Sequence, residues 1–141
     1  MYLLDTNVVS ELRKRDRCDE NVAAWYSGVS DDELFLSVLV LGEIRRGIEL
    51  IRDRDPQQCA ALEQWLQDVT RRYAHRVLPI DERVSDVWGQ LYYIRNVPVV
   101  DGLLAATAKV HNLTLVTRNI QDVQGLGANL LNPFLPTTGG K

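Results

Sequence analysis

Four stretches of this sequence place carboxylate or amide side chains where an apolar segment ends or narrows. Asp5 follows Tyr2-Leu3-Leu4, Glu43 lies inside LSVLVLGEIRRGIE, Asp101 follows Val99-Val100, and Asn119 with Asp122 follows Leu113-Thr-Leu-Val116. Each has an ordinary structural explanation. Asp5 or Asn7 can cap the helix that follows. Glu43 can stand on an exposed helix edge beside Arg46, and Asp101 can be an N-cap. Asn119 and Asp122 can be the turn and first helical turn of a surface segment. Jointly the acids point elsewhere, because three or four carboxyl groups brought to one place repel and shift one another's pKa values. Where no ammonium is near, a divalent cation is the natural compensation. Oxygen-only ligands favour Mg²⁺, with Mn²⁺ as the alternative. Zinc has little support from two histidines, His75 and His111, and from cysteines as far apart as Cys18 and Cys59.

The elements that must position these acids are readable from periodicity. Tyr2–Leu4 reads as a short buried strand, and residues 7–15 as a helix with Val8, Val9 and Leu12 inward. A helix over 21–29 centres on Val22, Trp25 and Tyr26. Leu34–Leu36 reads as a strand or as the entry to a helix over 38–52, where Leu41, Ile44, Ile48 and Ile51 recur at three- and four-residue steps. An acid buried unpaired in such a stretch would be costly, and Gly47, one turn after Glu43, leaves room beside it. Pro56 opens a helix to Arg72, 77–80 reads as a strand, and 81–94 is helical. Asp101 introduces the Leu/Ala-rich helix 102–111, in which Thr107 reads as a packing detail. Leu113–Val116 is a strand, because β-branched residues crowd a short apolar run, and Leu130-Leu131 adds an edge strand. Short strands alternating with longer helices imply βαβ units and a parallel sheet covered on both faces. In such sheets ligands collect at the carboxyl ends of the strands, where strand order reverses.

Size and composition exclude several classes. A chain of 141 residues with 45% hydrophobic and 25% charged residues fits one globular domain and not a disordered chain. No apolar run approaches the ~20 residues that span a bilayer, and the start lacks the order of a secretory signal. A cytoplasmic location is the expectation. Net charge is −3, so bulk charge does not advertise nucleic-acid binding. The local pairs and triplets Arg13-Lys14-Arg15, Arg45-Arg46 and Arg71-Arg72 read as solvated helix faces, although arginine forks well onto phosphate. The end, Pro136–Lys141, reads as a frayed tail outside the fold.

DTNVVSE, LSVLVLGEIRRGIE, DGLLAATAKVHNLTLVTRN and LLNPF, in that order and at these separations, resemble PIN-domain ribonuclease toxins of bacterial type II toxin–antitoxin modules. The nearest group is the FitB-like VapC proteins, and the likeness runs from Met1 to about Phe134. It implies an α/β fold: a three-layer α/β/α PIN-like domain over residues 1–135 with a short-stranded, mainly parallel central sheet. It implies a catalytic set of Asp5, Glu43, Asp101, Asn119 and Asp122, with Asp5 and Asp101 as the principal Mg²⁺ ligands. Asn119 falls where many members have a fourth acid, and Asp122 is the candidate to compensate. Thr6 and Thr117 match small hydroxyl positions at the site's edge, expected to hold water or phosphate, and Arg45, Arg46 and Arg118 are candidates for flanking phosphates.

The activity implied is metal-dependent endoribonuclease cleavage of RNA. The partners implied are a cognate antitoxin whose tail fills the acidic groove, a second copy in a homodimer, and a larger hetero-oligomer with the antitoxin; no membrane is involved. Trp25, Tyr26 and Trp65 are candidates for the docking surface, with core packing as the alternative for each. Two other readings compete. Haloacid-dehalogenase-type phosphotransferases also place an aspartate after the first strand, but they carry a second acid where this chain has Asn7 and need a lysine that mid-helix Lys109 is poorly placed to supply. A catalytically weak PIN-fold module that binds RNA or antitoxin is the non-enzymatic alternative, with Asn119 its best argument.

Overall fold

The computed structural model of the chain describes residues 1–136; of the tail expected over Pro136–Lys141, all but Pro136 lies outside the described residues. Five short strands form one sheet: β1 (Tyr2–Leu4), β2 (Leu34–Ser37), β3 (Val77–Leu78), β4 (Thr114–Val116) and β5 (Asn129–Leu131), in the order β3-β2-β1-β4-β5 with every neighbouring pair parallel. Successive residues of a strand point to opposite faces. Leu3 and Leu4 are both fully buried, and Leu115 and Val116 nearly so, so the central strands are covered on both faces, as parallel sheets require.

The covering helices among the described residues are α1 (Thr6–Arg13), α2 (Glu20–Ser27), α3 (Val38–Ile51), α4 (Pro56–Arg72), α5 (Glu82–Ile94), α6 (Val99–Val110) and the short α7 (Ile120–Val123). This is the α/β architecture expected from the alternation of periods. The apolar steps of α3 bury Val40, Ile44 and Ile48. Helix α4 starts where sequence rules put it: Pro56 occupies its first turn and Asp55 accepts from the Gln58 amide at 3.0 Å. Helix α6 is buried almost all round, at Gly102 and at Leu104 through Ala108. It lies so close to α5 that a Cβ on Gly102 would stand 3.1 Å from the Trp88 indole. The Thr107 hydroxyl bonds back to Leu103 O at 2.7 Å, a packing detail as expected.

Several boundaries shift by a turn or less. Helix α1 begins at Thr6 and stops at Arg13, because Arg15 turns to φ 55° and opens a 3₁₀ turn over Arg15–Arg17. Helix α6 begins at Val99, three residues before the expected start. Pro98 is its N-cap residue, so Asp101 sits inside the first turn and is not the cap. Strand β3 ends at Leu78.

Candidate active site

Strand order reverses around β1: β2 lies on one side and β4 on the other. The chain leaving β1 crosses that point at once, and the Asp5 amide bonds to Val116 O at the end of β4 at 2.9 Å. Asp5 caps α1, and its Oδ1 accepts from the Thr6 amide at 2.7 Å. Its Oδ2 accepts from the Thr117 hydroxyl at 2.8 Å and, more distantly, from Asn7 Nδ2 at 3.4 Å. One oxygen of this carboxylate serves the cap, and the other is held by Thr117 at the end of β4. Burial pushes Asp5 above the ordinary range. The bonds from Thr117 and Thr6 pull it back, and the charge of Asp122 adds to the rise.

Glu43 is exposed on α3, to one side of the buried row. Its Oε1 accepts from the Thr6 hydroxyl, which ties α3 to the first turn of α1 beside Asp5. A Cβ added at Gly47 or Gly42 would meet nothing within 4 Å, so the helix beside Glu43 stays open. Asp101 is half-buried in the first turn of α6. Burial raises its pKa first, and the charges of Asp5, Asp122 and Glu43 follow; every contribution pushes upward. Carboxylates from β1's end, α3, α6 and α7 thus share one electrostatic neighbourhood. They do not close into a ready-made cage: among the described residues no three His, Cys, Asp or Glu side chains stand at metal-ligand spacing.

The other expected site residues divide. Thr117 is buried, and its hydroxyl is committed to Asp5 while accepting from the Asn119 amide at 3.1 Å. Thr6 is committed to Glu43. The two hydroxyls therefore brace carboxylates. Asn119 and Asp122 are both exposed, at the N-cap and in the first turn of α7. Arg45 turns away from the site: its guanidinium forks onto Glu63 at 2.8 Å twice and reaches Glu49 at 3.2 Å. Arg46, three residues after Glu43 and exposed, remains on Glu43's side of α3. Arg118 stacks its guanidinium over Phe134 at 4.5 Å.

Asn7, a candidate cap in the sequence, leaves the cap to Asp5; its Oδ1 accepts from the Arg118 amide at 3.2 Å while Nδ2 faces Asp5 and Thr117. Two further residues escape the sequence reading of the site. Asn132 donates to Arg118 O at 3.2 Å, so the motif LLNPF, quoted only for its likeness, clamps the turn after β4. Arg95 bonds to carbonyls of the α7 segment and carries no sequence signal for that task.

The PIN domain family matches residues 2–121. This chain is a PIN domain. Its place within the family is with the FitB-like VapC toxins. It is 32% identical over 139 residues to Toxin FitB of Neisseria gonorrhoeae, covering 95% of this chain and 99% of that protein. It is 30% identical over 141 residues to VapC ribonuclease Y4jK of Sinorhizobium fredii, covering 96% and 99%. The crystal structure of FitAcB from Neisseria gonorrhoeae superposes with a TM-score of 0.85 at 32% identity, covering 95% and 99% of the two chains. VapBC-1 of nontypeable Haemophilus influenzae shares the fold, with a TM-score of 0.76 at 20% identity over 95% and 98%. The phosphotransferase reading falls with these matches. Lys109 of the PIN domain instead points its Nζ toward Leu126 O at 3.4 Å.

A concavity of about 620 Å³ opens at the far end of α1 from Asp5, between α1, α2 and α4. Tyr26 and Trp65 line it together with Arg13, Lys14 and Arg72. Trp25 does not; it packs edge-on against Tyr2 at 5.3 Å. Among the described residues no helix is long and apolar enough to cross a membrane.

Proposed function

We propose that this PIN domain is the toxin of a type II toxin–antitoxin pair and cleaves RNA phosphodiester bonds as a Mg²⁺-dependent endoribonuclease. The observation that carries the reading is Asp101: a half-buried carboxyl in the field of Asp5, Asp122 and Glu43, raised by every one of its surroundings. Such a group is relieved by a cation. The donor set fits Mg²⁺ or Mn²⁺, being all oxygen, and Asp5 is already aimed by three hydrogen bonds. Asp5 and Asp101 would hold the ion, with Asp122 or Asn119 at the fourth corner. A bound Mg²⁺ supplies Lewis acidity, neutralising charge on the scissile phosphate and lowering the pKa of the attacking water.

The chain's own part is orientation and proton transfer. Glu43 is the solvent-facing carboxylate, steadied by the Thr6 hydroxyl, and it takes the proton of the water that attacks phosphorus in line. The new bond joins the water oxygen to phosphorus while the bond to the 3′ oxygen breaks, and the leaving 3′ oxygen takes a proton from solvent. The products are a 5′-phosphate and a 3′-hydroxyl. Arg46 and Arg118 steady flanking phosphates. The same acidic site predicts the inhibitor on charge grounds: an antitoxin tail that inserts a basic side chain, with Tyr26 and Trp65 at a separate docking surface beyond the far end of α1. A homodimer that joins antitoxin in a larger hetero-oligomer completes the reading.

Asp5→Asn and Asp101→Asn are expected to abolish Mg²⁺-dependent cleavage of a transfer-RNA pool while leaving the fold intact. Equal cleavage by wild type and both variants rejects the assignment. An ion that binds only the native state also raises the unfolding midpoint. The catalytically weak module draws support from the absence of a ready-made cage among the described residues. Absence of both cleavage and a thermal shift in millimolar Mg²⁺ or Mn²⁺ selects it.

A further inference from the structure

Helix α7 is a single turn, and its N-cap residue, Asn119, makes no side-chain cap. An isolated turn has little stability of its own, and the last carbonyls of any helix lack partners within it. Here they find one side chain. Arg95 Nη1 donates to Asp122 O at 3.1 Å and Gln124 O at 2.8 Å, and Nη2 donates to Gln121 O at 3.0 Å. A planar fork of five donors suits three converging carbonyls, and a lysine ammonium does not reproduce it. Its positive charge also complements the carbonyl end of a helix.

Arg95 is the residue directly after α5, and the segment it opens runs through Pro98 into the first turn of α6, where Asp101 sits. One guanidinium therefore bridges the backbone leading to Asp101 and the backbone that carries Asp122. These two acids repel each other, and the tie opposes that repulsion. The tie is made to main-chain carbonyls and leaves both carboxylates free.

We propose that Arg95 is a positioning residue for the metal-dependent reaction: its guanidinium holds the Asp122 turn against the segment bearing Asp101 and fixes the separation of these acids. The inference rests on the nuclease reading above. It concerns this chain's own backbone, and Val123 and Leu126, both buried, anchor the α7 region independently, so removing the guanidinium leaves a folded protein.

The test is Mn²⁺ binding by isothermal titration calorimetry to the full chain, as wild type, Arg95→Met, Asp122→Asn, the double variant and Asp5→Asn. Loss of an outer partner of a metal site typically weakens affinity ~10–100-fold. Arg95→Met is expected to weaken Mn²⁺ binding about tenfold, to change it no further on the Asp122→Asn background, and to recover with millimolar methylguanidine. Binding by Arg95→Met within threefold of wild type, or fully additive losses in the double variant, overturns the inference. If Arg95→Met fails to fold, Arg95→Lys is judged by the same thresholds. The nuclease reading fails separately, if wild type binds no Mn²⁺ or Asp5→Asn binds it as tightly as wild type.

Discussion

Thr117→Val tests how the central carboxylate is held. The Thr117 side chain is 1% exposed, and its hydroxyl lies 2.8 Å from Asp5 Oδ2. Valine keeps nearly the same volume, so the cavity contribution is small and the effect reports the hydroxyl. A hydrogen bond to a charged group is worth about 1.5–3 kcal/mol, and a neutral one about 0.5–1.5 kcal/mol. Asn7 Nδ2, at 3.4 Å, is too long to substitute. The Asn119 amide, which also loses its acceptor, belongs to an exposed residue that water can serve. In metal-free buffer near neutral pH the variant should therefore lose about 2 kcal/mol. The pH dependence fixes the cause. Native Asp5 already lies above its ordinary value of 3.8, and Thr117 is one of the groups pulling it down. Without the hydroxyl the native pKa rises further. The native state then binds more protons than the unfolded chain over a wider interval, and stability falls as pH rises across it. The deficit should grow as pH rises from the native pKa of Asp5 in the wild type to its higher native pKa in the variant, and level off above it. Urea titrations in EDTA at several pH values measure this, and the acid limb of cleavage should move to higher pH. A deficit that does not vary with pH, together with an unmoved acid limb, refutes the reasoning.

Asp101→Asn should raise the unfolding midpoint in EDTA while removing its response to Mg²⁺. Asp101 is raised in the native state, so its ionisation penalises folding above that pKa. The advantage of the variant should close as pH falls toward 3.8, in parallel melts of the two proteins. Arg46→Ala should lower kcat/KM roughly tenfold, about the 1.4 kcal/mol of one charge-assisted contact, whereas Arg45→Ala, whose fork is spent on Glu63 and Glu49, should leave cleavage unchanged; the reverse ranking would move the phosphate contact to Arg45. At the fourth corner, Asp122→Asn should impair activity more than Asn119→Ala, and the opposite order in the same assay would assign the ligand to Asn119.

The positions of the acids were legible because a strand that stops on a polar residue leaves a local signature. Tyr2-Leu3-Leu4-Asp5 and Leu113-Thr-Leu-Val116-Thr117 both carry it, and the parallel sheet places their ends side by side. The choice between cap and ligand at Asp5 was not decidable locally, because a carboxylate has two oxygens and the cap takes only one of them. Asp101 was misplaced by three residues, since Val99-Val100 look β-prone while Pro98 sets the helix start. Arg45 and Arg46 are neighbours in sequence but about 100° apart around α3, and only Glu63 on α4 decides which is taken. Arg95 and Asn132 bond to main-chain carbonyls, which every residue offers. No pattern of side-chain types can announce them.

Two kinds of support hold the acids, and the difference fits the roles proposed for them. Asp5 is fixed by donors on both oxygens, and part of its burial is offset by them. Its position is set before any cation arrives. Asp101 has only upward pressures on its pKa, all from burial and like charge, so it gains most when a cation neutralises the pocket. Glu43 differs from both, being exposed and tethered by a hydroxyl from α1. A carboxylate that must exchange protons with water belongs in that exposed position, whereas one that must grip an ion belongs in a half-buried one. Exchanging the environments would exchange the roles, because the chemistry of a carboxyl group follows from its solvation and its neighbours.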